Sequence, residues 1–252
     1  MIRVILCGCN GKMGKAMSET VEKHEGIEIV AGVDVFTESE HPYPVYSQFS
    51  EINTDADIIV DFSDPSALKD LLDYSVEKNL PCIECTTGYS PEHVEMLKKA
   101  SESIPVFYSG NMSLGINLIT ELSKIAARVL GEKFDIEILE RHHNTKVDAP
   151  SGTALMLANS ISQELDYPVE YIYDRHSVRK KRDSREIGIH SIRGGNLVGE
   201  HEVIFAGEDE AISIKHTAQS KTVLAVGAIN AARYLVGKQK GFYSMNDLLM
   251  NK

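Results

Sequence analysis

Short apolar runs alternate with helical patterns along the first part of the chain. The runs carry apolar side chains at consecutive positions, which is typical of strands that are buried on both faces. They lie at residues 2–7, 27–33, 57–62, 81–85 and 105–108. Apolar residues at helical spacing predict helices at 12–24, 65–78 and 91–101. Strands and helices that alternate in this way predict an α/β fold, a Rossmann-like doubly wound parallel sheet.

The pattern changes after Gly110. A long helix is predicted at 116–130 and a shorter one at 155–165. Strands with little helix between them are predicted at 134–139, 186–192, 199–205 and 211–216. This arrangement predicts a second, α+β domain with a partly antiparallel sheet. The helical pattern at 222–235 is short for a domain of its own, and we expect it to pack back on the first sheet.

Composition and charge argue against several classes of protein. The chain has 252 residues, 42% of them hydrophobic, which is enough for a sizeable core. A formal net charge of -11 argues against a nucleic-acid partner or an anionic membrane surface. No apolar run is long enough to span a bilayer, and Met1 leads into a strand pattern without a signal peptide. We therefore expect a cytoplasmic protein.

The cysteines do not predict a redox or metal site. Cys82 and Cys85 have CxxC spacing, but they lie in a strand pattern rather than at the start of a helix, where a thiol would be activated. We expect all four cysteines to be small buried residues in a reducing cytoplasm.

A glycine-rich turn follows the first strand. The spacing of Gly8, Gly11 and Gly14 allows a tight turn and a close approach of backbone N–H groups to a pyrophosphate. Asp34 ends the second strand, where a carboxylate can accept hydrogen bonds from an adenosine ribose. The alternative is an ordinary strand–helix turn with a surface aspartate. No arginine follows Asp34 to hold a 2′-phosphate, although Lys12 could do so as a point charge, and the sequence therefore favours NADH without excluding NADPH.

Two later strand ends also have the residue types of a cofactor site. The segments 85–88 (Cys-Thr-Thr-Gly) and 109–112 (Ser-Gly-Asn-Met) follow buried strands at the carboxyl edge of the sheet, where ligands bind in such folds. Their small side chains would let the backbone approach a nicotinamide ring. Either segment alone would be consistent with a plain loop, but together with the glycine turn they predict cofactor contacts.

Candidate catalytic groups are concentrated in the run 140–154, Glu-Arg-His-His-Asn-Thr-Lys-Val-Asp-Ala-Pro-Ser-Gly-Thr-Ala. Histidine suits proton transfer near neutral pH, and one of the adjacent His142 and His143 would handle a proton while the other binds substrate. Lys146 would stabilise a developing anion or donate a proton. Residues 151–153 start a helix, whose N–H groups and positive end suit a carboxylate.

Asp148 and the basic stretch 175–185 each have more than one interpretation. Asp148 is expected to orient the loop or a basic neighbour rather than to act as a base. The basic stretch is typical of a solvated loop, and the alternative is a local patch that collects an anionic substrate. The adjacent histidines lack the usual spacing of metal ligands, and no metal is expected.

The stretch 137–154 resembles the signature of the 4-hydroxy-tetrahydrodipicolinate reductase (dihydrodipicolinate reductase) family of lysine biosynthesis. The resemblance covers the whole chain, since further matching segments fall in family order. They include the glycine turn, Asp34, 61–63, 86–88, 111–117 and 199–201.

This resemblance implies an NADH- or NADPH-dependent reduction of a dihydrodipicolinate-type cyclic imine to tetrahydrodipicolinate, in the diaminopimelate and lysine pathway. It implies a homotetramer whose subunits bind a small dicarboxylate substrate. Residues 1–112 with 217–252 would form the dinucleotide-binding domain, and 113–216 would bind substrate and form the tetramer.

The resemblance also implies roles for individual residues. His142 and Lys146 would be the catalytic proton donors. Substrate carboxylate would be bound by His143, Ser151, Gly152 and Thr153. The cofactor would be contacted by Gly8, Cys9, Asn10, Gly11, Lys12, Met13, Asp34, Cys85, Thr86, Thr87, Ser109, Gly110, Asn111 and Met112.

Two positions depart from the family pattern, and other classes of protein stay open. Cys85 stands where the family often has glycine, and Met112 where an aromatic residue is common. A related aspartate dehydrogenase or semialdehyde dehydrogenase is an alternative, and the latter would need Cys85 as its nucleophile. A cofactor-binding sensor would keep the glycine turn but would not need His142 and Lys146.

Overall fold

The computed structural model describes residues 1–38 and 41–250, and the chain divides into two compact units. Unit 1 consists of Met1–Leu114 and Lys221–Lys252, and unit 2 is Gly115–Ser220. Strands and helices are numbered along the chain.

Unit 1 contains a seven-stranded sheet in which all described strand pairs are parallel. Its strands are β1 (Ile2–Cys7), β2 (Ile27–Val33), β3 (Val45–Tyr46), β4 (Ile58–Asp61), β5 (Cys82–Glu84), β6 (Pro105–Tyr108) and β12 (Gly241–Tyr243), in the order β12-β6-β5-β4-β1-β2-β3. Its helices are α1 (Lys12–Val21), α2 (Leu68–Lys78), α3 (Pro91–Ser101), α6 (Thr222–Leu235) and α7 (Met245–Met250), with 3-10 turns at Phe49–Glu51 and Pro65–Ala67.

Strand β1 shows why the first apolar run is continuous. Val4 and Leu6 belong to the core that includes α1 and α6, whereas Ile5 and Cys7 belong to the core that includes α2 and α3. All four side chains are at most 2% exposed. Because helices cover both faces of the sheet, the part of a central strand that lies between them needs apolar side chains at consecutive positions. Helix α6 contacts β4, β5 and β6, so the prediction that it packs on the first sheet is confirmed.

Unit 2 contains a five-stranded mixed sheet in the order β11-β10-β7-β9-β8. Its strands are β7 (Asp135–His142), β8 (Glu170–Ile172), β9 (Glu186–Arg193), β10 (Gly199–Ala206) and β11 (Ala211–Ala218). Strand β10 is antiparallel to β7 and β11, and β9 is parallel to β7 and β8. Helices α4 (Leu114–Leu130) and α5 (Gly152–Ser162) share a core with one face of this sheet, and a 3-10 turn lies at Gly131–Lys133.

The expected fold class is confirmed, and two element bounds differ from the prediction in ways that matter for function. Strand β7 continues to His142, which places this side chain on the sheet rather than beyond it. Helix α5 begins at Gly152 instead of residue 155, because the Ser151 hydroxyl caps it by accepting a hydrogen bond from the Ala154 N–H at 3.2 Å. No helix among the described residues is long and apolar enough to cross a membrane.

Candidate functional site

The glycine turn of unit 1 has no room for a side chain at Gly8 or Gly14. Gly8 adopts a φ of +70°, and its N–H donates to the Val33 carbonyl at 2.8 Å. A Cβ on Gly8 would lie 2.5 Å from the carbonyl oxygen of Phe62, and a Cβ on Gly14 would lie 2.1 Å from that of Gly8. These glycines let the turn, the end of β4 and the start of α1 approach closely, as a dinucleotide turn requires.

The start of α1 has the properties of a phosphate site. Gly11 is the N-cap residue, and among the described residues no side chain caps this helix. The backbone N–H groups of its first turn and the positive helix end suit a pyrophosphate. The residues present therefore fit a nicotinamide dinucleotide at this turn.

Asp34 is held at the end of β2 by backbone groups. Its carboxylate accepts hydrogen bonds from the N–H groups of Asn10 at 2.9 Å and Phe36 at 3.1 Å. Beside it lies a cavity of about 630 Å³, a volume suited to a nucleoside. Residues that line it include Asp34, Val35, Ser63, Asp64, Ser66 and Tyr74.

The segments 85–88 and 109–112 follow β5 and β6. Cys85 and Thr86 are buried, Thr87 and Gly88 are exposed, and the Thr86 hydroxyl donates to Asp61 at 2.6 Å. Burial raises the pKa of the Cys85 thiol well above its usual range, which argues against this residue as the nucleophile of a semialdehyde dehydrogenase.

The side chain of Met112 belongs to the core rather than to a ligand surface. Only 2% of it is exposed, and a Cβ on Gly227 of α6 would lie 1.7 Å from its carbonyl oxygen. Met112 therefore cannot stack on a nicotinamide ring as an exposed aromatic residue would. Nearby, the Ser109 hydroxyl donates to the Asn111 carbonyl at 2.7 Å and fixes the turn.

In unit 2, Glu140 and His142 form a pair on one face of β7. The two residues are two positions apart on the strand, so their side chains point to the same side. The Nδ1 atom of His142 lies 2.5 Å from a carboxylate oxygen of Glu140, and Glu140 is fully buried. With Nδ1–H donated to Glu140, the Nε2 atom is the one left for chemistry. It faces Gly199, where a Cβ would lie 3.2 Å away.

Arg193 on β9 keeps Glu140 ionised. The guanidinium donates to both carboxylate oxygens at 2.8 and 2.7 Å, and the Ser151 N–H adds a third hydrogen bond at 3.1 Å. Burial alone would favour the protonated acid, but the hydrogen bonds from Arg193 and His142 outweigh it and lower the pKa of Glu140 to about 2. His142 thus always has an anionic partner near neutral pH.

His201 on β10 packs against the same histidine. The rings of His142 and His201 are 5.2 Å apart in an edge-to-face arrangement, and Nε2 of His201 lies 3.0 Å from the Ser151 hydroxyl. Burial, followed by the nearby His142, lowers the pKa of His201 to about 4. His201 is therefore neutral at neutral pH and does not compete with His142 for the proton.

The turn after β7 carries the remaining predicted residues. Lys146 donates to Asp148 at 2.7 Å, and this hydrogen bond lowers the pKa of Asp148. The contact fits the interpretation that Asp148 orients a basic neighbour. His143 lies 2.7 Å, through Nδ1, from the Thr145 hydroxyl.

The basic stretch 175–185 anchors itself to the sheet through ion pairs. Arg175 contacts Glu186 at 2.6 Å and Glu137 at 2.9 Å. Arg182 contacts Glu137 at 3.0 Å and Asp135 at 2.7 Å, and it also donates to three backbone carbonyls. These cations are paired within the unit, which favours the structural interpretation over a patch for anions.

The structure thus brings the predicted residues together in two groups, one in each unit. In unit 2 it adds Glu140, Arg193 and His201, to which the sequence interpretation gave no role. Glu140 lies two residues before His142, but the predicted strand ends at residue 139, so the sequence alone does not indicate that the two side chains share one face of a strand. Among the described residues, no group of three or more His, Cys, Asp or Glu side chains is arranged to hold a metal ion.

Comparison with known families identifies the chain. The family described as "Dihydrodipicolinate reductase, N-terminus" matches residues 2–112, and "Dihydrodipicolinate reductase, C-terminus" matches residues 115–249. The chain belongs to the dihydrodipicolinate reductase family. The resemblance stated from the sequence is thereby confirmed.

Relatives of the dihydrodipicolinate reductase family match the full length. The 4-hydroxy-tetrahydrodipicolinate reductase of Clostridium novyi (strain NT) is 50% identical over 252 residues and covers 100% of both chains. That of Caldanaerobacter subterraneus subsp. tengcongensis is 49% identical, over 99% of this chain and 98% of the relative. A dipicolinate-bound dihydrodipicolinate reductase from Paenisporosarcina sp. TG-14 has the same fold, with a TM-score of 0.79, 23% identity and coverage of 98% and 99%.

Proposed function

We propose that this chain is a 4-hydroxy-tetrahydrodipicolinate reductase, which reduces the derived dihydrodipicolinate-type cyclic imine to tetrahydrodipicolinate. The observation that carries the proposal is the contact of His142 with the buried Glu140 beside the N-terminus of α5, in a chain that also has a dinucleotide turn. Family membership and the names of relatives over the full length support the same activity.

The cofactor proposed for unit 1 is NADH or NADPH, with a preference for NADH. When bound, it supplies the hydride. The glycine turn and the start of α1 would hold the pyrophosphate, and Asp34 would accept hydrogen bonds from the ribose. The segments 85–87 and 109–112 would contact the nicotinamide end. The absence of an arginine after Asp34 and the acidic lining of the neighbouring cavity favour a ribose without a 2′-phosphate.

The proton chemistry is assigned to unit 2. Hydride addition to the unsaturated imine leaves an electron pair that must be protonated. Glu140 fixes Nδ1 of His142 and stabilises the imidazolium, so Nε2–H is the proposed donor. Lys146 is proposed as the second donor, held by Asp148.

Substrate carboxylate is assigned to His143 and to residues 151–153. The Ser151 hydroxyl already accepts from Ala154 and contacts His201. Ser151 would therefore shape the site, while the backbone N–H groups of Gly152 and Thr153 meet the carboxylate at the positive end of α5.

The test is NADH oxidation with enzymatically generated substrate. His142→Gln and Lys146→Ala should each lose most of the activity, whereas the exposed His176→Gln in the same unit should retain it. Full activity of either site variant would contradict the roles assigned here. Initial rates with NADH and NADPH on the same substrate decide the cofactor preference, and equal rates would overturn the preference for NADH.

The assembly proposed is a homotetramer working in the cytoplasm, where four buried free cysteines would stay reduced. Leu139 and Ile204 lie on the face of the unit 2 sheet that is opposite the helix-covered core, and this face is the proposed contact between subunits. Leu139→Glu should reduce the mass measured by sedimentation. An unchanged tetramer would exclude this face, and a monomeric wild-type protein would exclude the assembly.

A further inference from the structure

A pair of buried carboxyl groups lies at the carboxyl edge of the unit 1 sheet. Asp61 ends β4, Glu84 ends β5, and the two are register partners on adjacent parallel strands. Only 1% of Asp61 and 0% of Glu84 is exposed. Since paired strands are about 4.8 Å apart, the two carboxyl groups lie side by side away from water. Two negative charges in such a position are strongly unfavourable, so the pair retains a proton near neutral pH.

The hydrogen bonds show which carboxyl group keeps the proton. Asp61 accepts from the N–H and hydroxyl of Ser63, at 3.0 and 2.5 Å, and from the Thr86 hydroxyl at 2.6 Å. One carboxyl oxygen of Glu84 accepts from the Tyr89 hydroxyl, at 2.8 Å, and among the described residues its buried Oε1 has no partner within hydrogen-bond distance. Burial, followed by the charge of Asp61, raises the pKa of Glu84 well above its usual range. Glu84 is therefore the neutral member.

The same pair fastens the loop 85–90 at both ends. At the start of the loop, the Cys85 N–H donates to the Asp61 carbonyl at 3.0 Å, and Thr86 donates to the Asp61 carboxylate. At its end, the Tyr89 hydroxyl reaches Glu84 at 2.8 Å and Asp61 at 3.3 Å. Between these anchors, Thr87 and Gly88 are exposed. Both ends of the loop are thus hydrogen-bonded to the same pair of acidic residues, and its middle is exposed.

Among the described residues, the titratable groups that act on Glu84 include no compensating cation. They are Asp61 on β4, Cys7 on β1, Cys82 on β5, Cys85 just after β5, Tyr89 in the loop, and Tyr108 as its register partner on β6. None of these groups can be positively charged. A buried glutamate without a cation serves no ion pair, and its defined contact is the loop tyrosine.

We propose that Glu84 is a positioning residue that, with Asp61 and through Tyr89, holds the loop 85–90 in the conformation that contacts the nicotinamide cofactor. This inference rests on the proposed function, because the contact between residues 85–87 and the cofactor is itself proposed. Glu84 acts through Tyr89 and does not touch the reacting atoms.

The test compares variants that differ in shape, charge and hydrogen bonding. Glu84→Gln keeps a neutral polar group and should bind NADH within about twofold of the wild type. Glu84→Leu and Tyr89→Phe each remove the anchor and should weaken NADH binding about tenfold, the effect of losing roughly one buried hydrogen bond. The double variant should bind no more weakly than either single variant, since both remove the same bond. The exposed Glu95→Leu on α3 is the control.

Binding is measured by titration of the full chain with NADH, followed by the fluorescence of the bound nucleotide without any imine. Thermal unfolding should show that Glu84→Leu is folded, because this buried position can accept an apolar side chain of similar volume. In turnover, Glu84→Leu should raise the KM for NADH and leave the KM for the imine unchanged. If Glu84→Leu does not fold, Tyr89→Phe against Glu84→Gln carries the same comparison.

Unchanged NADH affinity in both Glu84→Leu and Tyr89→Phe would overturn the inference, as would a loss in Glu84→Gln as large as in Glu84→Leu. If the wild-type protein binds neither NADH nor NADPH, the inference and the proposed function fail together. That result differs visibly from one in which the wild type binds well and the variants bind equally well.

Discussion

Arg193 donates hydrogen bonds to both carboxylate oxygens of Glu140, at 2.8 and 2.7 Å, although the two residues are 53 positions apart. The pairing of β7 with β9 places Arg193 opposite His142. Glu140, which Arg193 binds, is two positions before His142 on the same strand. The bidentate contact fixes both the charge and the orientation of Glu140, and through it the orientation of His142.

Replacing Glu140 should damage turnover more than binding. Glu140→Gln removes the negative charge that stabilises the His142 imidazolium, and we expect kcat to fall about a hundredfold while KM changes little. Steady-state rates against imine concentration check this, with Glu121→Gln on α4 as the control. A kcat within twofold of the wild type would show that Glu140 is only structural.

A methyl group opposite His142 should also reduce turnover. In Gly199→Ala the new Cβ would lie 3.2 Å from Nε2, which forces the ring to move. We expect kcat to fall at least about tenfold, because small displacements of a catalytic group are costly. Gly194→Ala is a matched control in the same unit, since a Cβ there meets nothing within 4 Å. Equal rates for both variants would contradict the assignment of Nε2 as the reacting atom.

The neutral His201 predicts a specific pH dependence of stability. Its pKa is about 4 in the folded protein and about 6.5 in the unfolded chain, so the unfolded chain takes up a proton first as the pH falls. The free energy of unfolding should therefore fall between about pH 6.5 and pH 4, by up to about 3 kcal/mol from this residue.

His201→Gln should flatten the stability curve in that window when urea unfolding is measured at a series of pH values. The exposed His176→Gln should leave the slope as it is in the wild type. A slope in His201→Gln that equals the wild-type slope would mean that His201 is not held neutral.

The glycine turn predicts separable effects on folding and on cofactor binding. In Gly14→Ala the Cβ would lie 2.1 Å from the Gly8 carbonyl oxygen, so the start of α1 must shift and NADH binding should be lost. Gly26 has a φ of +82° with open space around its Cα, and Gly26→Ala should cost about 1 kcal/mol of stability through its backbone alone. NADH titration and thermal unfolding of both variants check this, and normal binding by Gly14→Ala would argue against a pyrophosphate at the turn.

Much of unit 1 could be predicted because its signals are local. The β1 run is apolar at consecutive positions, the glycines follow it directly, and Asp34 ends the next strand. The short elements β3, β8, β12 and α7 could not be predicted, because two to six residues carry too little periodicity. Helix α5 begins earlier than predicted because a capping hydroxyl, rather than an apolar residue, starts it.

The support of His142 could not be predicted for a different reason. A charged residue such as Glu140 is rarely expected at a fully buried position, and its burial becomes favourable only with Arg193 beside it. That partner is brought in by strand pairing rather than by sequence proximity. The same holds for Glu84, whose neighbour Asp61 belongs to another strand.

The contact between Gly227 and the Met112 carbonyl joins parts of the chain that are synthesised far apart in time. Helix α6, which carries Gly227, supplies many buried residues to the core on one face of the first sheet. That core stays open during translation until α6 has left the ribosome. Unit 2 is continuous in sequence and is complete before α6 is made. Unit 1, whose synthesis begins first, is therefore the unit that finishes folding last.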